Sequence, residues 1–128
     1  MNNRLGNAKN PYQTEAKKVL CVCSAGLLRS PTAANTLYAE YGYNTRAVGI
    51  SNEYALVPMD VVHIYWADEI VFVEQKVYDQ AWSEFPDELK NKKIVVLALP
   101  DTFEWNDPEL VANIKKQYAD HFIMAEAF

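Results

Sequence analysis

The stretch VLCVCSAGLLRSPT, Val19 to Thr32, places a thiol and a guanidinium six positions apart, with a hydroxyl next to the guanidinium. An apolar strand-like run ends at Cys23, a loop of small and apolar residues follows, and the chain resumes on Arg29, Ser30 and Pro31. Residues Ser24, Ala25, Gly26, Leu27 and Leu28 then lie between a strand end and a helix start. Their successive backbone N–H groups can curl into a nest, and the helix dipole adds a field that favours an anion. Arg29 carries a planar fork suited to two oxygens of a tetrahedral oxyanion. The field that holds such an anion also favours the thiolate of a cysteine beneath it. Cys23 is therefore the candidate nucleophile, Arg29 and the loop the candidate oxyanion cradle, and Ser30 the hydroxyl that can donate to the thiolate. Gly26 supplies the permissive φ that a tight loop needs.

The ordinary alternative is a packed strand cysteine beside a solvated first-turn arginine, and for a single cysteine that reading usually holds. The combination Cys-x5-Arg-Ser arises by chance in a chain with two cysteines on the order of once in a hundred, from average residue usage. Cys21, two positions earlier, is expected to pack in the core. Alternation points it to the same face as Cys23, a disulfide between i and i+2 would distort the strand, and two thiols cannot make a four-ligand zinc site. No metal constellation is seen, and His63 and His121 read as ordinary helix residues. No cofactor is implied.

The elements that must position this loop are legible from pattern. Lys17 to Cys23 reads as a strand buried on both faces. SPTAANTLYAEYG reads as a helix with Ser30 as its cap, Pro31 at its first position and Gly42 at its end. Thr45 to Ser51 is a second strand, Met59 to Ala67 a helix, EIVFVE a third strand, Pro86 to Leu89 a helical turn and Lys92 to Leu99 a fourth strand. The last helix opens at NDPEL, with Asp107 as cap and Pro108 in the first turn. Alternation of strands and helices predicts an α/β domain with a parallel sheet and right-handed crossovers. In such sheets ligands bind beyond the carboxyl ends of the strands, where Cys23 stands.

With 128 residues, 50% hydrophobic and 23% charged, the chain reads as one globular domain over 17–128 preceded by a loose arm at 1–16. A net charge of −5 argues against coating nucleic acid, which needs a concentrated basic surface. The absence of a long apolar run or signal-like N-terminus predicts a protein of the cytoplasm without a membrane partner. Nothing in the sequence points to an oligomeric state.

CSAGLLRSP resembles the phosphate-binding loop of the low-molecular-weight protein tyrosine phosphatases, whose Cys-x5-Arg-Ser-Pro loop also follows the first strand near the N-terminus. TRAVGIS, WADEIVFV and LPDTFEWNDPEL resemble, more weakly, that family's second strand, third strand, and general-acid loop with last helix. The resemblance implies a four-stranded parallel sheet in the order 2-1-3-4, flanked by helices, and phosphomonoester hydrolysis through a phosphocysteine. A phosphorylated protein or small aryl phosphate is the implied substrate. Gly26 replaces the family's usual Asn, Leu28 replaces a second loop cysteine found in many members, and the chain is shorter, as in a divergent branch. Asp101, emerging directly after strand four, parallels the general acid; Asp107 is the alternative acid, though a capping carboxylate is held as the anion and donates poorly. Phe103 and Trp105, in the same loop, either wall the pocket or pack the last helix. Two rivals share the features: an arsenate-reductase-like protein, which needs cysteines downstream of Cys23 that are absent here, and a non-catalytic phosphate- or phosphotyrosine-binding module. A phosphocysteine carrier of sugar transport would have no need of Arg29 and Ser30.

Overall fold

The computed structural model describes residues 16–24, 29–51, 57–99 and 107–126, with side chains of the last helix described to 121. Ala25 to Leu28, Asp101, Phe103, Trp105 and nearly all of the expected N-terminal arm lie outside the described residues.

The described residues form nine elements in the order β1 Lys18–Cys23, α1 Arg29–Tyr41, β2 Asn44–Gly49, α2 Val61–Trp66, β3 Glu69–Phe72, α3 Gln75–Glu84, α4 Pro86–Leu89, β4 Lys93–Val96 and α5 Pro108–Glu126. All strand pairs are parallel and the sheet order is β2-β1-β3-β4, as expected. Helices α1 and α5 pack together on one face, and α2, α3 and α4 cover the other, as right-handed crossovers in this strand order require. Among the described residues no helix is long and apolar enough to cross a membrane.

β1 is hydrogen-bonded on both sides and buried on both faces; Val19, Leu20, Cys21 and Val22 have no exposed surface. Each such side chain contributes about 1.5–3 kcal/mol of burial, which is why the run has no alternation. Its register pairs Cys23 with Gly49 and Val22 with Phe72. Beyond the paired strands, Ile50 N–H donates to Cys23 O (2.9 Å), Ser51 N–H to Ser24 O (2.9 Å) and Val73 N–H to Val22 O (3.0 Å). The end of β1 is thus fixed from both flanks.

The ends of α1 depart from expectation at one side and match it at the other. Gly42 takes φ of +71° and its N–H donates to Tyr38 O (2.8 Å), the left-handed stop expected there. At the start, the helix begins at Arg29, so Ser30 is inside the first turn, fully buried, and is not the cap. Helix α3 has no counterpart in the sequence reading. Its apolar contribution is narrow: Val77 and Ala81, four apart, are its buried residues, with Tyr78 packed edge-on to Phe72. Helix α2 is short and closed by a reciprocal box, in which Asp60 accepts from Val62 N–H (3.3 Å) and Asp60 N–H donates to His63 Nδ1 (2.9 Å). His63 is therefore a buried structural acceptor, and burial pushes its basicity down.

At the amino edge of the sheet a charge is buried. Glu69, the first residue of β3, has no exposed surface; its carboxylate accepts from Lys17 Nζ (3.0 Å) and the Tyr118 hydroxyl, with Lys93 Nζ at 3.5 Å. Tyr118 sits among Tyr41 and Tyr43, and Lys17 lies over the Tyr43 ring at 5.1 Å. These contacts tie the entry to β1, the start of β3, the start of β4 and α5 to one carboxylate. Burial, then the charge of Glu69, pushes the Cys21 thiol far up, so Cys21 is an inert core side chain. Tyr118→Phe leaves that buried carboxylate short of a donor. The expected cost is about 1.5–3 kcal/mol, the range for hydrogen bonds to charged groups, read as a lower urea midpoint at unchanged slope; a shift under about 0.5 kcal/mol would place the buried charge wholly on the lysines.

Candidate active site

Cys23 is the last residue of β1 and is 3% exposed, at the carboxyl edge of the central strand. Its Sγ lies 3.0 Å from Ser30 Oγ, and Ser30 Oγ lies 3.3 Å from the Val48 carbonyl on the neighbouring strand. The hydroxyl has one proton for these two acceptors. When it donates to Val48 O, it accepts from a Cys23 thiol; when Cys23 is a thiolate, the hydroxyl turns to donate to sulfur. The position inside the first turn of α1, which made Ser30 a poor cap, puts its hydroxyl on this switch.

Arg29 opens α1 and is 4% exposed, so it is not the solvated arginine of the ordinary reading. Its Nη1 donates to the Leu99 carbonyl (3.0 Å) and to Glu74 Oε1 (3.0 Å). Nη1 has two hydrogens, and these two acceptors take both. The cation is buried with an anion at hydrogen-bond distance, the arrangement that burial of a guanidinium requires.

Glu74 was not singled out by sequence reasoning. It follows β3 and occupies the N-cap position of α3, yet makes no side-chain cap; the carboxylate turns to Arg29 instead. The signal present in the sequence is an acid at the carboxyl end of a buried strand, in VFVEQ. Leu99, the other partner, contributes only a backbone carbonyl, which no side-chain pattern reveals.

Asp107 sits at the start of α5, where its Oδ1 accepts from Glu109 N–H (2.8 Å) and its carbonyl accepts from Val111 N–H (2.9 Å). Its carboxylate is thus engaged in capping. No cluster of three or more candidate metal ligands occurs among the described residues. Cys21 and Cys23 are both buried free thiols.

The parallel sheet order 2-1-3-4 with its flanking helices is that of the low-molecular-weight phosphatase fold. Comparison with solved structures shows the same: the chain is similar to the YwlE arginine phosphatase from Geobacillus stearothermophilus (TM-score 0.63, 18% identity, covering 88% of this chain and 96% of that one). It is equally similar to the tyrosine phosphatase AmsI from Erwinia amylovora (TM-score 0.63, 14% identity, covering 90% and 98%). A YwlE mutant from Bacillus subtilis matches at a TM-score of 0.62 and 15% identity, covering 84% and 99%. No sequence-family model and no curated protein matches the chain.

The Arg29 anchor predicts an asymmetry between two substitutions. Glu74→Ala leaves a buried guanidinium without its anion and should cost about 1–3 kcal/mol, below the full price of a buried pair because Glu74 retains solvent contact. Glu74→Gln keeps an oxygen acceptor for Nη1 and should cost clearly less. Equal losses in thermal or urea denaturation would mean that the charge of Glu74, and not its acceptor oxygen, carries the whole contribution.

Proposed function

We propose that the chain is a cysteine-dependent phosphomonoesterase of the protein tyrosine phosphatase type, acting on phosphotyrosine or another aryl phosphate. The observation that carries this reading is the 3.0 Å contact between Cys23 Sγ and Ser30 Oγ at the carboxyl end of β1, one residue from a buried arginine. The resemblance of CSAGLLRSP to a phosphate-binding loop and the shared fold support it.

In this mechanism the Cys23 thiolate attacks phosphorus in line, forming the S–P bond as the bond to the leaving oxygen breaks. Ser24, Ala25, Gly26, Leu27 and Leu28 present their amides to the phosphoryl oxygens, and Arg29 opposes the charge that develops on them. Asp101 gives its proton to the leaving oxygen. Water then cleaves the phosphocysteine, releasing phosphate; the returning thiolate is received by the Ser30 hydroxyl, which makes sulfur a better leaving group. Phe103 and Trp105 flank the flat ring of the ester. The scheme draws on no cofactor or metal, and the substrate is a phosphorylated protein or small aryl phosphate met in the cytoplasm.

Arg29 has a second consequence in this reading. A guanidinium pinned through Nη1 to Glu74 and Leu99 loses little freedom when an oxyanion arrives, so orientation is supplied before binding.

Cys23→Ser should abolish hydrolysis of para-nitrophenyl phosphate while the protein keeps its fold. The panel for substrate class comprises phosphotyrosine, phosphoserine and phosphoarginine peptides with nucleotide and sugar phosphates, since tyrosine and arginine phosphatases stand equally near in fold. Activity confined to phosphotyrosine and aryl esters is the expected result; no turnover of any member would favour a phosphate-binding module.

The acid is tested by leaving group. Asp101→Asn should slow a phenyl ester with a poor leaving group far more than one with a good leaving group, whereas Asp107→Asn should treat both alike; Asp107→Ala, which unlike Asn cannot cap, should lower stability by about 0.5–2 kcal/mol. The reverse pattern would transfer the role to Asp107.

A further inference from the structure

β4 is an edge of the sheet among the described residues. Leu97 N–H donates inward to Phe72 O (2.8 Å) and Leu99 N–H to Val73 O (3.0 Å). Alternation along an extended chain then turns the main-chain groups of Val96 and Ala98 outward, away from β3. They face a depression of about 800 Å³ at the carboxyl end of β4, closed on the far side by α5. An outward row of this kind is a template for one more strand.

One position of that template is covered in a telling way. Ala98 N–H donates to Gln117 Oε1 (2.6 Å), and Gln117 Nε2 donates to Ala98 O (3.1 Å). A primary amide that accepts from and donates to the same residue reproduces the pair of bonds a neighbouring strand would make there. The cover is one side chain on the surface of α5, Ala98 itself remains exposed, and a peptide group can replace that amide bond for bond.

Charge and position specify the occupant. The carboxylates lining the depression are Glu74 and Asp120, and Asp120 otherwise meets only Lys116 among the described ion pairs, at 3.5 Å between two exposed side chains, a contact of little strength. The depression also reaches Leu99, so it adjoins both groups that hold Arg29. A chain laid along β4 would run toward the candidate active site.

We propose that the β4 edge is a docking strand for an extended, lysine- or arginine-bearing segment of a phosphorylated protein substrate, which displaces the Gln117 amide and adds as a fifth strand. The inference deepens the phosphatase reading and rests on it for the link to a substrate. Main-chain pairing supplies affinity with little dependence on sequence, and Asp120, with Glu74 already paired to Arg29, supplies the preference for cationic side chains.

The test compares a minimal phosphotyrosine peptide with longer ones extended on either side by lysine-bearing residues. Extension on one side should lower KM about tenfold, the worth of one or two net hydrogen bonds. Ala98→Pro removes an outward N–H that takes no part in pairing with β3, and should erase that gain. Gln117→Ala removes the internal competitor and should lower the KM of the extended peptide further. Both variants should leave turnover of phenyl phosphate unchanged. Extended peptides no better than the minimal one, or a gain that survives Ala98→Pro, would overturn the proposal. A second measurement separates docking from catalysis: hydrogen exchange at the Val96 amide, with a lysine-bearing non-phosphorylated peptide in millimolar excess. Slowed exchange supports docking even where phenyl phosphate is not hydrolysed, an outcome that would sink the enzymatic reading alone; unchanged exchange overturns docking even where the enzyme is active.

Discussion

A guanidinium withdrawn from water must find an anion, and the way Arg29 does so organises this molecule's carboxyl edge. Its two Nη1 hydrogens are taken by the Leu99 carbonyl, beyond β4, and by the Glu74 carboxylate, beyond β3. Arg29 begins the helix that follows β1. One side chain therefore joins the ends of three strands, and the loop between Cys23 and Arg29 is held at both of its ends: by the strand bonds that fix Cys23, and by this cation.

The opposite edge obeys the same constraint with the sign reversed. There a carboxylate, Glu69, is buried and satisfied by Lys17, Lys93 and Tyr118. Between the two edges lies a core that is almost wholly aliphatic, with β1 at its centre. The two charged clusters divide the work: that at the amino edge fixes how the strands enter the sheet, and that at the carboxyl edge fixes how they leave it. Cys21 and Cys23, two positions apart on one strand, show the difference in environment, since Cys21 lies deep enough to feel Glu69 whereas Cys23 reaches the Ser30 hydroxyl.

Much of this was legible in the sequence because it depends on local signals. The apolar run to Cys23, the left-handed stop at Gly42, the Asp107-Pro108 helix start and the alternation of strands with helices are all properties of short windows, and the sheet order followed from the resemblance of the loop. What escaped depends on partners distant in the chain. Ser30 reads as a cap from its neighbours, yet becomes an internal residue because Cys23 Sγ and Val48 O claim its hydroxyl. Glu74 reads as an ordinary strand-end acid until Arg29, forty-five positions earlier in number, is brought beside it by the β1–β3 pairing. Helix α3 escaped because burial of two small apolar residues four apart makes a faint periodicity amid polar neighbours.

In the proposed reaction the Cys23 sulfur is the atom that receives the phosphoryl group. The direct measurement is acid quench of the protein while it turns over para-nitrophenyl phosphate, followed by mass analysis of its peptides. One phosphoryl group on the peptide that contains Cys23, absent from Cys23→Ser, is the result this account predicts. Turnover with Cys23 never modified, or with the phosphoryl group on another residue, would contradict it.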